Sequence, residues 1–122
     1  MKRRLLIVED RDDFIEYLAG NLKKEYSLNF AKSLEVAKIA MDLREYDAIL
    51  TDVHLTDTEP IGGIEIISLA KSKGIPCILM SKENHEKKAI ESGAYGFLFK
   101  KELISMLEEG KKLSCIPPRK YE

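Results

Sequence analysis

Cysteine is scarce in this chain of 122 residues: Cys77 lies inside an apolar run and Cys115 near the C-terminus. Two distant thiols with no CxxC pattern read as reduced and intracellular, which points to a cytoplasmic location. Glutamine is absent, while charged residues reach 34%. That combination favours surface ion pairs over labile amides. No stretch approaches the ~20 apolar residues that a membrane helix needs, so no membrane contact is expected. The start, Met1-Lys2-Arg3-Arg4, resembles a signal n-region, but the apolar run behind it stops at Glu9, too early for an h-region. An excess of one charge is missing too. Lys and Arg number 20 against 21 Asp and Glu, a net charge of -1, so nucleic-acid binding has no electrostatic support. There is no Walker A loop, no GxGxxG, no internal repeat and no low-complexity segment. The histidines, His54 and His85, lack metal-ligand spacing.

What is present is an ordinary 44% of hydrophobic residues, arranged as alternating strand and helix patterns that suit one domain. Apolar runs predict strands at Leu5–Val8, Ser27–Phe30, Asp47–Asp52, Cys77–Ser81 and Gly96–Phe99. Phe14, Ile15, Leu18 and Leu22 recur at helical spacing behind Asp12 and Asp13, which suit a helix start. Ser33 is a candidate N-cap for a helix turning Val36, Ala40 and Leu43 inward. Gly62-Gly63 opens a helix with Ile64, Ile67 and Ala70 on one face. Asn84–Ser92 reads as a helix closed by Gly93, and Glu102–Lys112 as the last helix, with Leu103, Met106 and Leu107 inward. His85 is expected to be exposed at its helix start. Continuous apolar strands argue for a parallel sheet covered on both faces, a doubly wound α/β sandwich. The domain is expected to span residues 1–116, with 117–122 as a short tail.

The strands end in residues that suit phosphoryl chemistry. The first runs into Glu9 and Asp10, the third into Asp52, the fourth into Ser81 and the fifth into Lys100. In a parallel sheet with helical crossovers these ends share one edge, where ligands bind. Three clustered carboxylates raise the cost of ionising one another, and a hard cation such as Mg²⁺ removes that conflict. Each residue alone has a plainer explanation. Glu9 and Asp10 favour the positive start of the next helix, Asp52 and Ser81 suit turns or caps, and Lys100 can be an edge lysine. Convergence from several strands favours the chemical reading.

Taken in order, Ile7-Val8-Glu9-Asp10, Asp47-Ala48-Ile49-Leu50-Thr51-Asp52, Ile78-Leu79-Met80-Ser81 and Glu91-Ser92-Gly93-Ala94-Tyr95-Gly96-Phe97-Leu98-Phe99-Lys100 resemble a response-regulator receiver domain. The resemblance covers nearly the whole chain and implies a flavodoxin-like sheet of strand order 2-1-3-4-5. It also implies a cytoplasmic phosphoprotein of a two-component system. A sensor histidine kinase or phosphotransfer protein would be its donor, and Asp52 the acceptor. Mg²⁺ would be held by Asp10, by Asp52, by Glu9 through water and by the backbone carbonyl of His54. Ser81 and Lys100 would hold the phosphoryl oxygens, and Phe97 matches the switch aromatic. Such a domain catalyses its own phosphorylation and dephosphorylation without turning over a separate substrate. Read as a stand-alone receiver, it would act by docking a downstream protein on its fourth helix, fifth strand and fifth helix, or by passing the phosphoryl group on as a relay carrier.

The chain departs from the family's habits at Lys82 after the hydroxyl, at Lys101 after the lysine, and in a longer, acidic segment from Thr56 to Ile61. These departures keep a second reading open, a pseudo-receiver that binds partners without phosphorylation. A flavin protein of similar winding would need a phosphate-cradling loop after the first strand. Glu9-Asp10-Arg11-Asp12-Asp13 is acidic and would repel phosphate unless a cation intervened, and absorbance of the purified protein would detect a flavin.

Overall fold

Alternate residues of each central strand face opposite ways, and here both faces are apolar. In the computed structural model, which describes residues 2–55, 62–111, 113 and 116, that pattern builds a five-stranded sheet with helices on both sides. The elements run β1 (Arg3–Val8), α1 (Asp12–Leu22), β2 (Tyr26–Ala31), α2 (Leu34–Leu43), β3 (Ala48–Asp52), α3 (Gly62–Ser72), β4 (Cys77–Ser81), α4 (Glu86–Ser92), β5 (Gly96–Phe99) and α5 (Lys100–Glu108). The strand order is β2-β1-β3-β4-β5, and every pairing is parallel. The expected doubly wound, flavodoxin-like topology is therefore the one observed. The Thr56–Ile61 segment and the 117–122 tail lie outside the described residues. Among the described residues no helix is long and apolar enough to cross a membrane.

Leu5 and Ile7 of β1, Leu50 of β3 and Ile78 and Met80 of β4 pack with Leu18 of α1 and Leu103 of α5. Their neighbours Leu6, Val8, Ile49 and Leu79 pack on the other side with Ala37 of α2, Ile66 and Ile67 of α3 and Ala89 of α4. Each such fully buried Leu or Ile stabilises the fold by roughly 1.5–3 kcal/mol of transfer free energy. The sheet is thus clamped between α1 and α5 on one face and α2, α3 and α4 on the other. Its C-terminal edge is left to polar residues.

Several helix expectations are corrected. Ser33 does cap α2, its Oγ accepting the Val36 N–H at 3.1 Å. The inward residues, however, are Leu34, Ala37 and Met41, with Ala40 partly buried against them. Val36 and Leu43 are 46% and 76% exposed. This helix is apolar nearly all round, so its spacing admits two stripes. The one that packs on the sheet begins with Leu34. On α3, Ile66 joins Ile67 and Ala70 inside, while Ile64 is only partly buried. Likewise, Met106 of α5 is partly buried between Leu103 and Leu107.

The last helix spans Lys100–Glu108 rather than Glu102–Lys112. Glu102 Oε1 accepts the Phe99 N–H at 3.1 Å, so Glu102 is the third residue of the helix and not its first. At the other end Gly110 has φ +72°, its N–H reaches the Leu107 carbonyl at 3.1 Å, and the Lys111 N–H reaches Met106 at 2.9 Å. Those two bonds form a Schellman stop, which a glycine accommodates without strain. Similarly, α4 begins at Glu86 because Asn84 Oδ1 takes the Glu86 N–H at 3.0 Å.

Candidate functional site

Parallel pairing brings Glu9, Asp52, Ser81 and Lys100 to one edge, because each follows or ends a strand that stops there. Glu9 is fully buried and Asp52 is 7% exposed, while Asp10 is half-buried. One carboxylate oxygen from each of these three lies within 4.8 Å of the others. An all-oxygen donor set of this kind suits a small hard cation.

Lys100 is the first residue of α5, and its ammonium reaches back into the cluster. It donates to Glu9 Oε1 at 2.9 Å and to Asp52 Oδ2 at 3.1 Å. The remaining oxygens are also engaged: Glu9 Oε2 accepts the Arg11 N–H at 3.0 Å, and Asp52 Oδ1 accepts the Val53 N–H at 2.8 Å. Burial pushes the Glu9 carboxyl above its usual range, helped by the charge of Asp52 and opposed by Lys100 and the Arg11 N–H. Burial alone would lower Lys100, but hydrogen bonding to Glu9 and the charge of Asp52 overcome it and hold the ammonium above its ordinary value. Like-charge crowding and charge pairing thus coexist in one buried cluster.

A cavity of about 280 Å³ opens beside the cluster, lined by Asp10, Arg11, Asp52, His54, Ser81, Lys82, Glu83 and Lys100. Glu9, fully buried, does not line it. Ser81 Oγ accepts the Glu83 N–H at 3.1 Å, which orients the hydroxyl at the cavity wall. The turn role open to Ser81 is therefore realised, in a residue that also lines the cavity. Phe97 is half-buried in β5, in register with Leu79, and its ring meets Phe99 edge-on at 5.1 Å.

Residues 5–109 match the family model of the response regulator receiver domain. The chain belongs to this family. In fold, the receiver is similar to the chemotaxis response regulator CheY4 of Vibrio cholerae, with a TM-score of 0.74 at 19% identity, covering 89% of this chain and 98% of that one. It is also similar to a two-component response regulator from Clostridium difficile (TM-score 0.73, 22% identity, 88% and 94% covered). The signal receiver domain of an HD domain-containing protein from Pseudomonas fluorescens is a further likeness (TM-score 0.73, 24% identity, 89% and 87% covered). No curated protein matches the sequence significantly.

The receiver's site contains residues that strand-end reasoning passed over. Arg11 and Glu83 line the cavity, each two positions after a residue already singled out, Glu9 and Ser81. His85, expected to be exposed, is half-buried, and its ring meets that of His54 edge-on at 5.7 Å. Gly63, read as a helix opener, has a second duty. Its N–H donates to the Val53 carbonyl at 2.9 Å, and a Cβ there would collide with the Asp52 carbonyl. Only glycine lets α3 approach the turn that carries Asp52 so closely.

Proposed function

We propose that Asp52 accepts a phosphoryl group from a phosphohistidine on a sensor histidine kinase or phosphotransfer protein, and that the acyl phosphate switches the docking of a downstream protein. The observation that carries this reading is the placement of Asp52. It is buried at the end of a central strand and paired with Lys100, and it borders a cavity whose wall includes Asp10 and Ser81. The reading includes the domain limits 1–116 and the cytoplasmic location expected from two distant thiols with no CxxC pattern.

The donor set fits Mg²⁺: three carboxylates supply oxygen ligands within 4.8 Å of one another. Asp10 and Asp52 would hold the ion directly and Glu9 through water, with the His54 backbone carbonyl as a further ligand. Bound there, it supplies charge neutralisation at the phosphoryl oxygens. The chain's own residues do the rest. An Asp52 carboxylate oxygen attacks phosphorus, and the P–N bond to the imidazole breaks as the P–O bond forms. Lys100 stays beside Asp52 and offers its ammonium to one phosphoryl oxygen, while the Ser81 hydroxyl donates to another. Such transfers ask mainly for in-line positioning and charge compensation. Attack of water on phosphorus reverses the modification, releasing phosphate and restoring the Asp52 carboxylate.

Incubation with a small phosphodonor and Mg²⁺ tests the reading. Intact mass is expected to show one phosphoryl adduct, lost in Asp52→Asn. An undiminished adduct in that variant moves the site elsewhere. No adduct in the parent protein, with either small donors or kinase, leaves phosphorylation-independent docking as the function.

A further inference from the structure

Lys100 has its backbone at a helix position that disfavours a cation. It is the first residue of α5, at the positive end of the helix, and Lys101 follows it. Its ammonium is held in place by Glu9 Oε1 at 2.9 Å and Asp52 Oδ2 at 3.1 Å, the same carboxylates that belong to the candidate cation cluster. A divalent cation on those oxygens would place positive charge beside the ammonium and share its anionic partners. A neutral partner is needed if Lys100 is to stay inside the pocket in that state.

The structure supplies one on α1, which shares a face of the sheet with α5. The ring of Phe14, in the first turn of α1, lies with its centroid 4.8 Å from Lys100 Nζ. At that distance an aromatic face attracts an ammonium through its quadrupole, with no atom that a metal can take. The ring is itself braced. Phe14 stacks on Tyr17, with centroids 6.1 Å apart and planes 9° from parallel. The Tyr17 hydroxyl in turn points to the Ile104 carbonyl at 3.4 Å, one turn further along the helix that Lys100 begins. Both ends of this short aromatic bridge therefore rest on α5.

We propose that Phe14 is a positioning residue, whose ring seats the Lys100 ammonium at the phosphoryl end of the pocket and keeps it there when the carboxylates are engaged by a cation. The inference rests on the phosphoryl-acceptor reading for its purpose, though not for its geometry. Phe14→Leu keeps apolar bulk and removes the aromatic face, whereas Phe14→Tyr keeps the face. The ring current of Phe14 should move the Lys100 side-chain Hε protons upfield of those of the other lysines. That shift is expected in the metal-free protein and at saturating Mg²⁺, preserved in Phe14→Tyr and lost in Phe14→Leu. At saturating Mg²⁺, beryllofluoride, which imitates the acyl phosphate, should bind Phe14→Leu about fivefold more weakly than the parent, and Phe14→Tyr within about twofold of it. Mg²⁺ affinity itself should stay within about twofold in both variants, a split that a general loosening of the fold would not produce. Collapse of the Lys100 shift when Mg²⁺ binds the parent overturns the proposal. So does beryllofluoride binding equally to Phe14→Leu and parent. A parent protein that binds no beryllofluoride overturns the phosphoryl reading instead, and the Lys100 shift then decides the seat alone.

Discussion

The ammonium of Lys100 meets the carboxylate of Glu9 at 2.9 Å, linking residues 91 positions apart in sequence and joining the end of β1 to the start of α5. Glu9 has no exposure to solvent, so its charge depends on this partner and on the Arg11 N–H. A buried ion pair of this sort does little for net stability, because desolvation offsets the attraction. Its main effect is to fix Lys100, which lines the cavity, against the fully buried Glu9.

The balance at Glu9 has a pH signature. Its folded-state pKa is raised, with burial as the largest cause. The folded state therefore binds this proton more tightly than the unfolded state, and the stabilisation is complete below the unfolded value near 4.5. It is lost as pH rises from there through the folded value. In metal-free protein, Glu9→Gln imitates the protonated acid and lacks this loss. Denaturant midpoints measured from pH 4 upward are expected to show the variant gaining on the parent as pH rises. A constant difference would mean that Glu9 titrates alike in both states.

Clustered carboxylates are also expected to set the response to cations. Removing repulsion among Glu9, Asp10 and Asp52 should raise the melting temperature of the parent in millimolar Mg²⁺. A tenfold excess over Kd corresponds to about 1.4 kcal/mol. Asp10→Ala is expected to lose most of that response and, without metal, to match or exceed the parent's stability, since one like charge is gone. Thermal melts with and without Mg²⁺ check both halves. An equal Mg²⁺ shift in the variant would place the ion elsewhere.

Much of this geometry is legible in the sequence because strand ends carry it. Apolar runs buried on both faces leave little doubt about β1, β3 and β4, and in a parallel sheet their ends must meet. Helix faces are less legible. The α2 stripe of Leu34, Ala37 and Met41 is hidden among equally apolar Val36, Ile39 and Leu43, which stay exposed. Gly110, within the expected span of the last helix, ends it, because a Schellman stop depends on backbone geometry that composition does not display. Phe14 has the spacing of a core residue, and its place over Lys100 depends on how α1 and α5 share one face of the sheet. Gly63 becomes intelligible only once α3 is seen against the carbonyl of Asp52.

Lys82 follows Ser81 directly, is exposed, and forms part of the cavity wall. Under the proposed function its long aliphatic stem and ammonium would shield the acyl phosphate from bulk water. Shielding of this kind slows attack by water on phosphorus. Lys82→Ala is expected to shorten the lifetime of the phosphorylated protein severalfold, followed by loss of the adduct mass after the donor is removed. Unchanged decay combined with faster loading would identify Lys82 as an obstruction to the donor.

Output under the same reading depends on Phe97. Its strand partner is Leu79, two residues before Ser81, so Ser81 and Phe97 share the sheet face covered by α4. The phosphoryl group adds acceptor oxygens beside Ser81, and the hydroxyl lowers its energy by moving toward them. That movement vacates space behind β4. Half-buried Phe97 lies next to the space and gains apolar burial by rotating into it. The change is a shift between two populations, and its size is limited by their difference in interaction free energy. Coupling of ordinary strength alters partner affinity by about 5- to 150-fold. Beryllofluoride with Mg²⁺ is therefore expected to move NMR resonances of Phe97 and of the face from Asn84 to Lys111, as well as those around Asp52. In Phe97→Ala the distant shifts should shrink, while beryllofluoride still binds at Asp52. Shifts confined to the pocket in the parent protein would remove the switch and leave a phosphoryl carrier, in which Phe97 is a packing residue of an edge strand.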